Sequence, residues 1–222
     1  MNQINISEYT IIHDVPPPLP VGSRCAIDTE WTNMDKKKLH RPTGEFACAT
    51  FYFGTNEVYI VEDVRRLAEA FQNIEKAGWI FHNAKFDIFH LRRYIAIPQR
   101  KMMWDTMLVE QVRFSGLYDE FNLASLFRRY CDGFMEKETR QEFSEWAGEM
   151  TPSQVNYACI DTIATYEVFQ AQRAEIDEDD LSIWENIERP FLFTLLSTKG
   201  IMFDGAKWME RANRDKEQAV AL

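Results

Sequence analysis

Three pairs of polar residues, each set in an apolar stretch, restrict how this chain folds. The pairs are Asp28 with Glu30, Asn83 with Asp87, and Tyr157 with Asp161. The first pair has the two-residue spacing that places both side chains on one face of a strand, and the other two pairs have the four-residue spacing of neighbours on a helix. Because an unpaired buried carboxylate is costly, four carboxylates near a core indicate shared cations. The pattern therefore predicts one strand and two helices that converge on a metal site.

The composition predicts one sizeable core and argues against a broad basic surface. The 222 residues are 45% hydrophobic and 14% aromatic. The net charge of −10 argues against a chain that grips duplex nucleic acid through neutralised phosphates. It does not argue against a nuclease, because carboxylates that hold divalent ions count as negative and the bound ions reverse the local field. Part of the charge lies in residues 175–180, a run that predicts a solvated linker.

The cysteines and the hydropathy pattern predict a cytoplasmic protein with no membrane partner. The four cysteines lie in apolar contexts and form no CxxC pair, as is typical of buried reduced thiols. No apolar stretch approaches the roughly 20 residues that span a bilayer. Residues 1–10 are polar and lack the basic and apolar regions of a signal peptide.

Strand and helix signals alternate along the chain. Strands are predicted at 24–31, 45–53, 57–61, 79–81 and 102–104. Helices are predicted at 62–76, 84–95, 105–114, 122–130, 140–146 and 151–174, with a helical pattern again over 206–222. The turn residues at 54–56 indicate a hairpin, and Thr151, Pro152 and Gln154 form the start signal of the long helix. This order predicts an α/β fold, a mixed sheet flanked by helices with a C-terminal helical tail.

The carboxylates predict a hydrolytic reaction at a phosphate. Two divalent ions about 3.5–4 Å apart can clamp a scissile phosphate, one activating water and the other stabilising the leaving oxygen. Oxygen ligands favour Mg²⁺ or Mn²⁺. Asp28 is predicted to bridge both ions, with Glu30 and Asp161 completing the first. Asp87 is predicted to hold the second ion. Tyr157 is predicted to orient the attacking water, because a phenol with a pKa near 10 is a poor base at neutral pH.

Three short motifs contain these residues. They are Ala26-Ile27-Asp28-Thr29-Glu30, His82-Asn83-Ala84-Lys85-Phe86-Asp87 and Tyr157-Ala158-Cys159-Ile160-Asp161. In order and spacing they resemble the exonuclease motifs of the DnaQ-like (DEDD) 3′–5′ exonucleases, in the tyrosine subtype, and Asp105-Thr106 resembles a further recurring element of that group. The resemblance covers about residues 23–173. It implies a ribonuclease H-like fold and metal-dependent removal of nucleotides from a 3′ end.

The tail extends the resemblance to a particular kind of exonuclease. Residues 187–191 and 199–204 resemble the junction at which the proofreading domain of family A DNA polymerases passes into the polymerase portion. The resemblance implies an N-terminal extension over 1–20, an exonuclease domain over 21–176 and a helical tail over 177–222 that resembles the start of the polymerase portion. It also implies that the partner is a single-stranded DNA 3′ end. A polymerase portion would lie in the same or a separate chain, in the cytoplasm of a bacterial or virus-infected cell.

Residues beside the carboxylates are candidates for contacts with the substrate. Asn83 offers an amide to the terminal nucleotide, and Thr29 offers its backbone to the 3′ end. Phe86 and Trp31 offer rings that can stack on a frayed base. Core packing is the alternative for both rings and is preferred for Phe86. The basic residues at 36–41 are either a phosphate-tracking loop or, preferably, a solvated hairpin loop.

Three classes of function remain open on these grounds. The leading one is a proofreading exonuclease that hydrolyses single-stranded or frayed DNA by a two-metal mechanism. The second is an RNA-trimming exonuclease of the ribonuclease D type, which shares the motifs but does not account for the polymerase-like tail. The third is a non-catalytic exonuclease-like scaffold, against which the four intact carboxylates argue.

Overall fold

The computed structural model describes residues 3–33, 44–97, 99, 102–135, 148–198 and 204–220. Within these ranges six strands form one sheet, with helices packed against it. The strands are β1 (Thr10–Ile12), β2 (Arg24–Thr32), β3 (Glu45–Tyr52), β4 (Glu57–Val61), β5 (Gly78–Phe81) and β6 (Met103–Asp105). The helices are α1 (Leu67–Asn73), α2 (Ala84–Leu91), α3 (Thr106–Phe114), α4 (Leu123–Cys131), α5 (Pro152–Glu175), α6 (Glu178–Ile183), α7 (Arg189–Ser197) and α8 (Gly205–Val220).

The sheet is mixed, with the order β1-β4-β3-β2-β5-β6. Strand β3 pairs antiparallel with both β2 and β4. Strand β1 is parallel to β4, β5 is parallel to β2, and β6 is parallel to β5. The predicted α/β fold with a mixed sheet is therefore confirmed. Strand β2 has neighbours on both sides, so the polar pair that it carries lies in the middle of the sheet.

The structure differs from the sequence predictions in two segments at the ends of the domain. Residues 10–12, inside the predicted N-terminal extension, form the edge strand β1, in which Thr10 is opposite Glu57. The acidic run at 175–180 is not a linker, because Asp177 caps α6 and its side chain accepts the backbone N–H of Asp180. Acidic residues in a first helical turn are favoured by the positive end of the helix dipole.

The helices agree with the sequence except in their lengths. The predicted helix 62–76 begins as a 3-10 turn and becomes α1, and the predicted helix 84–95 has its regular part in α2. The predicted helix 140–146 and the basic loop at 36–41 lie outside the described residues. All four cysteines are free; Cys25, Cys48 and Cys159 are buried as predicted, whereas Cys131 is half-buried.

The segment after α5 packs against the sheet domain. Trp184 is fully buried, and its ring centroid lies 6.1 Å from that of Trp104 on β6. Leu192 and Phe193 of α7 belong to the same apolar core as Trp79 of β5. The first part of the predicted tail therefore contributes to the core, whereas the described side chains of α8 are exposed.

Candidate active site

Three carboxylates converge between β2 and α5. Asp28 and Glu30 lie on one face of β2, and Asp161 lies on α5 opposite them. One ligand oxygen from each of the three residues lies within 4.8 Å of the other two, and all three side chains are half-buried. Three oxygens at this separation, partly shielded from water, suit a hard divalent cation, which would offset their mutual repulsion.

Helix α5 is held in register with β2 by contacts to the neighbouring strand β3. Thr50 of β3 pairs directly with Asp28, and its hydroxyl hydrogen bonds that of Thr162, one residue after Asp161. The Thr162 hydroxyl also donates to the carbonyl of Ala158 at 3.0 Å. Both threonines are fully buried, so this contact fixes the position of Asp161 relative to the strand pair.

The start of α5 follows the predicted capping signal. The Thr151 side chain accepts the backbone N–H of Gln154, and the Gln154 side chain accepts the backbone N–H of Thr151. Pro152 occupies the first helical turn, where its missing N–H has no cost. The capping box therefore fixes where α5 begins and, by helical spacing, brings Tyr157 and Asp161 to the same face.

The fourth carboxylate, Asp87 on α2, is not among the three residues of this cluster and instead contacts β2 through Thr29. Its side chain is 2% exposed and accepts the Thr29 hydroxyl at 2.6 Å and the Thr29 N–H at 3.1 Å. Burial raises the pKa of Asp87 well above its ordinary value, the charge of Asp28 raises it further, and the Thr29 hydroxyl lowers it. A cation between Asp28 and Asp87 would offset both the burial of Asp87 and the charge of Asp28, and would so favour the ionised form of Asp87.

Asp105 fixes the start of the helix that carries Asp87. It is fully buried, caps α3 through the N–H groups of Met107 and Leu108, and also accepts those of Asn83 at 3.1 Å and Ala84 at 2.7 Å. Burial raises the pKa of Asp105 to about 6, and these hydrogen bonds oppose the shift. Its capping of α3 is visible in the Asp-Thr sequence after a strand, but its link to α2 is not.

The Tyr157 hydroxyl hydrogen bonds the Asp161 side chain. Burial raises the pKa of Tyr157, and the charges of Asp161 and Glu30 raise it further. The phenol therefore stays protonated at neutral pH and acts as a hydrogen-bond donor beside the carboxylates. Such a group suits the orientation of a water molecule better than the removal of its proton.

Three of the predicted substrate-contact residues already make contacts within the protein. Trp31 is 3% exposed, its indole N–H donates to the Thr29 hydroxyl at 2.8 Å, and its ring packs against His90, so a base has no free face of Trp31 on which to stack. The backbone N–H of Thr29 already donates to Asp87. Phe86 packs against the core and the ring of His90, which agrees with the preferred alternative for this residue.

Asn83 keeps its place as a candidate for substrate contact. It is half-buried, immediately precedes α2, and adopts a left-handed backbone conformation with φ of +66°. Asparagine tolerates this conformation better than most residues. The backbone N–H is bound to Asp105, and the Asn83 side chain makes no hydrogen bond that caps α2.

A mixed sheet carries carboxylates on a central strand, and they converge with a carboxylate of a long helix packed against it. Residues 19–177 match a family of 3′–5′ exonuclease domains found in family A DNA polymerases, and this chain belongs to that family. The family normally uses divalent metals, for which the cluster of Asp28, Glu30 and Asp161 provides the appropriate ligands.

Bacterial and phage DNA polymerases are among the curated relatives. DNA polymerase I of Aquifex aeolicus (strain VF5) is 28% identical over 162 residues, which cover 72% of this chain and 25% of that protein. This chain spans about a quarter to a third of the length of the curated relatives it matches.

Solved structures show the same fold. Brucella melitensis NrnC bound to pGG has a TM-score of 0.67 at 18% identity, with 89% of this chain and 99% of that chain covered. Escherichia coli RNase D, an exoribonuclease involved in structured RNA processing, has a TM-score of 0.59 at 14% identity, with 85% of this chain and 49% of that chain covered. Within the described ranges, no helix has the length and apolar character needed to cross a bilayer.

Proposed function

We propose that this chain removes nucleotides from the 3′ end of single-stranded or frayed DNA by metal-dependent hydrolysis. The observation that carries the proposal is the convergence of Asp28, Glu30 and Asp161 within 4.8 Å, in a chain of the 3′–5′ exonuclease family. We place two divalent ions, Mg²⁺ or Mn²⁺, at this cluster and beside Asp87. When bound, such ions supply an activated water and stabilise the leaving oxygen of the phosphate.

The four carboxylates have separate tasks in this proposal. Asp28, Glu30 and Asp161 would hold the first ion, and Asp87 would hold the second together with Asp28. The hydrogen bonds from Thr29 to Asp87 support the last assignment, because they fix the orientation of the Asp87 carboxylate. Asn83 is proposed to contact the terminal nucleotide through its side-chain amide.

Tyr157 is proposed to hold the attacking water in line with the phosphate. Its hydrogen bond to Asp161 and its raised pKa support a role for a protonated phenol that donates or accepts a hydrogen bond without losing its proton. The scissile phosphate would then lie between Tyr157 and the carboxylates of β2.

Relatives that are DNA polymerases support DNA as the substrate. In this proposal residues 21–176 form the exonuclease domain, residues 1–20 precede it, and residues 177–222 lead toward a polymerase portion in the same or a separate chain. We also propose a cytoplasmic location in a bacterial or virus-infected cell, which the bacterial and phage relatives support. The second candidate is an RNA-trimming exonuclease, favoured by the fold shared with RNase D.

A competition between matched substrates tests the choice of substrate. DNA and RNA strands of identical sequence, with different 5′ dyes, are mixed in equal amounts with the protein and Mn²⁺. Faster shortening of the DNA supports proofreading, and faster shortening of the RNA moves the function to RNA trimming. No shortening of either strand supports the scaffold, and Asp28→Ala serves as the negative control.

A further inference from the structure

A cavity of about 410 Å³ opens beside the carboxylate cluster, with Tyr157 and Asp161 in its lining. This volume is within the range of about 300–1,000 Å³ that is typical of small-molecule sites. The cavity has three walls, of which one is the face of α5 that carries Asn156 and Ile160. The second is formed by residues that follow α4, and the third by the N-terminal segment.

The N-terminal wall consists of Gln3, Ile4 and Ile6. These residues precede residues 19–177, the part of the chain that matches the exonuclease family. The wall is therefore formed by residues outside the matched region. Ile4 packs against two clusters of buried residues, one around Cys159 and one around Leu126.

The N-terminal wall is held in place on both sides. The Asn5 side chain accepts the N–H of Ser7 and caps the short turn that includes Ile6. The ring of Tyr9 packs edge-on against Tyr52 of β3 at 5.9 Å, and β1 follows immediately as an edge strand. A wall anchored in this way is a preformed surface for a ligand.

The wall that follows α4 presents an aromatic ring to solvent. Phe134 is 53% exposed and follows Gly133, at which an added Cβ would lie 2.0 Å from the Phe127 ring. Only glycine allows this close approach, and Asp132 before it ends α4 in a left-handed conformation with φ of +48°. The turn therefore directs Phe134 toward the cavity beside Met135.

The lining chemistry matches a nucleobase. Isoleucine and phenylalanine side chains offer apolar surface for the flat faces of a base, and the amides of Gln3 and Asn156 offer donors and acceptors for its edge.

We propose that the N-terminal segment at residues 3–6 completes this cavity as a binding site for a base of the substrate strand, and that Gln3 and Ile4 thereby strengthen binding of the strand. The proposal rests on the proposed exonuclease function. It assigns to Ile4 and Gln3 a positioning role that acts on substrate binding and not on the chemistry at the carboxylates.

The test combines variants of the wall with substrates that lack a base. Initial rates are measured on a single strand and on strands with an abasic residue at the last or the penultimate 3′ position. Wild-type protein should lose about fivefold or more in kcat/KM on one of the abasic strands, because the base no longer stacks in the cavity. Ile4→Ala and Gln3→Ala should raise KM on the intact strand, with kcat nearly unchanged. Removal of the base should lower kcat/KM less in these variants than in wild type.

Controls separate this proposal from loss of fold and from loss of the proposed function. Ile187→Ala, at a residue that is 58% exposed and outside the cavity, should behave as wild type on every substrate. Gln3 is exposed, so Gln3→Ala tests the wall even if Ile4→Ala lowers the melting temperature. If the intact strand is cleaved but kcat/KM falls as much in both variants as in wild type on each abasic strand, the base-binding proposal is wrong. If wild type cleaves no strand, the proposed function itself is wrong.

Discussion

The hydroxyl and the backbone N–H of Thr29 both donate to the same oxygen of Asp87. Thr29 lies between the two carboxylates of β2, so the strand that carries Asp28 and Glu30 also orients the carboxylate of α2. The Thr29 hydroxyl accepts the indole N–H of Trp31 as well, which completes a buried chain of hydrogen bonds from Trp31 to Asp87. The candidate site therefore depends on a residue that touches neither phosphate nor metal in the proposed mechanism.

Thr29→Val should weaken both the fold and the proposed second metal site. The valine keeps the shape of the side chain but removes a donor to Asp87 and the acceptor of Trp31, and each unsatisfied buried group costs about 1–3 kcal/mol. We expect a lower free energy of unfolding in urea and a higher Mn²⁺ concentration at half-maximal activity. Thr29→Ser keeps the hydroxyl and should remain close to wild type. Equal behaviour of the valine and serine variants would remove this hydrogen bond from the account.

Tyr157→Phe should slow cleavage without changing metal binding. Loss of a group that positions water is expected to lower kcat by about ten- to a hundredfold. Because the pKa of Tyr157 is raised, its ionisation plays no part near neutral pH, and the rate–pH profiles of variant and wild type should have the same shape. Tyr118→Phe, at an exposed tyrosine in contact with Arg129, is the matched control. An unchanged kcat in Tyr157→Phe would exclude this tyrosine from the mechanism.

Asp28→Asn should abolish activity and yet raise the melting temperature of the metal-free protein. Removal of one negative charge from three carboxylates within 4.8 Å relieves their repulsion. Millimolar Mg²⁺ or Mn²⁺ should raise the melting temperature of wild type through binding to the folded state, and this increase should be much smaller in the variant. Glu217→Gln, on the exposed helix α8, controls for the change in net charge. A metal-induced increase of the same size in Asp28→Asn would contradict the assignment of Asp28 as a ligand.

Asp105→Asn should change how stability depends on pH. The pKa of Asp105 is about 6 in the folded protein, above the value of about 3.9 in an unfolded chain, so the folded state binds this proton more tightly. This group therefore favours folding most at low pH, and its contribution falls as the pH rises from about 4 to about 6. The difference in unfolding free energy between wild type and variant, measured in urea across this window, should show the same fall. A constant difference would indicate an unperturbed Asp105.

Much of the fold could be predicted because the deciding signals are local. The bounds of β4 at 57–61 match the prediction, since turn residues flank a run of alternating burial. The start of α5 matches the prediction because the capping box lies within four consecutive residues, 151–154. Strand β1 was missed because it is three residues long and is held by backbone pairing to β4, for which side-chain periodicity gives no signal.

The site residues on each element could be predicted from the sequence, but the hydrogen bonds that join the elements could not. The period-two rule that places Asp28 and Glu30 together also places Thr29 and Trp31 on the opposite face, so the burial of Trp31 against α2 could have been read from the same alternation. The bonds from Asp105 to Asn83 and Ala84 join residues more than 20 positions apart, and nothing in the local sequence indicates them.

The most direct test of the central claim is a cleavage time course on 5′-labelled single-stranded DNA with Mn²⁺, with wild type beside Asp161→Asn. The account predicts a ladder of products that shorten one nucleotide at a time from the 3′ end in wild type and no ladder in the variant. A phosphorothioate at the 3′-terminal linkage, in which sulfur replaces a non-bridging oxygen of the phosphate, should slow removal of the first nucleotide. A ladder of equal rate in Asp161→Asn, or internal cuts that do not depend on the 3′ end, would contradict a 3′–5′ exonuclease built on these carboxylates.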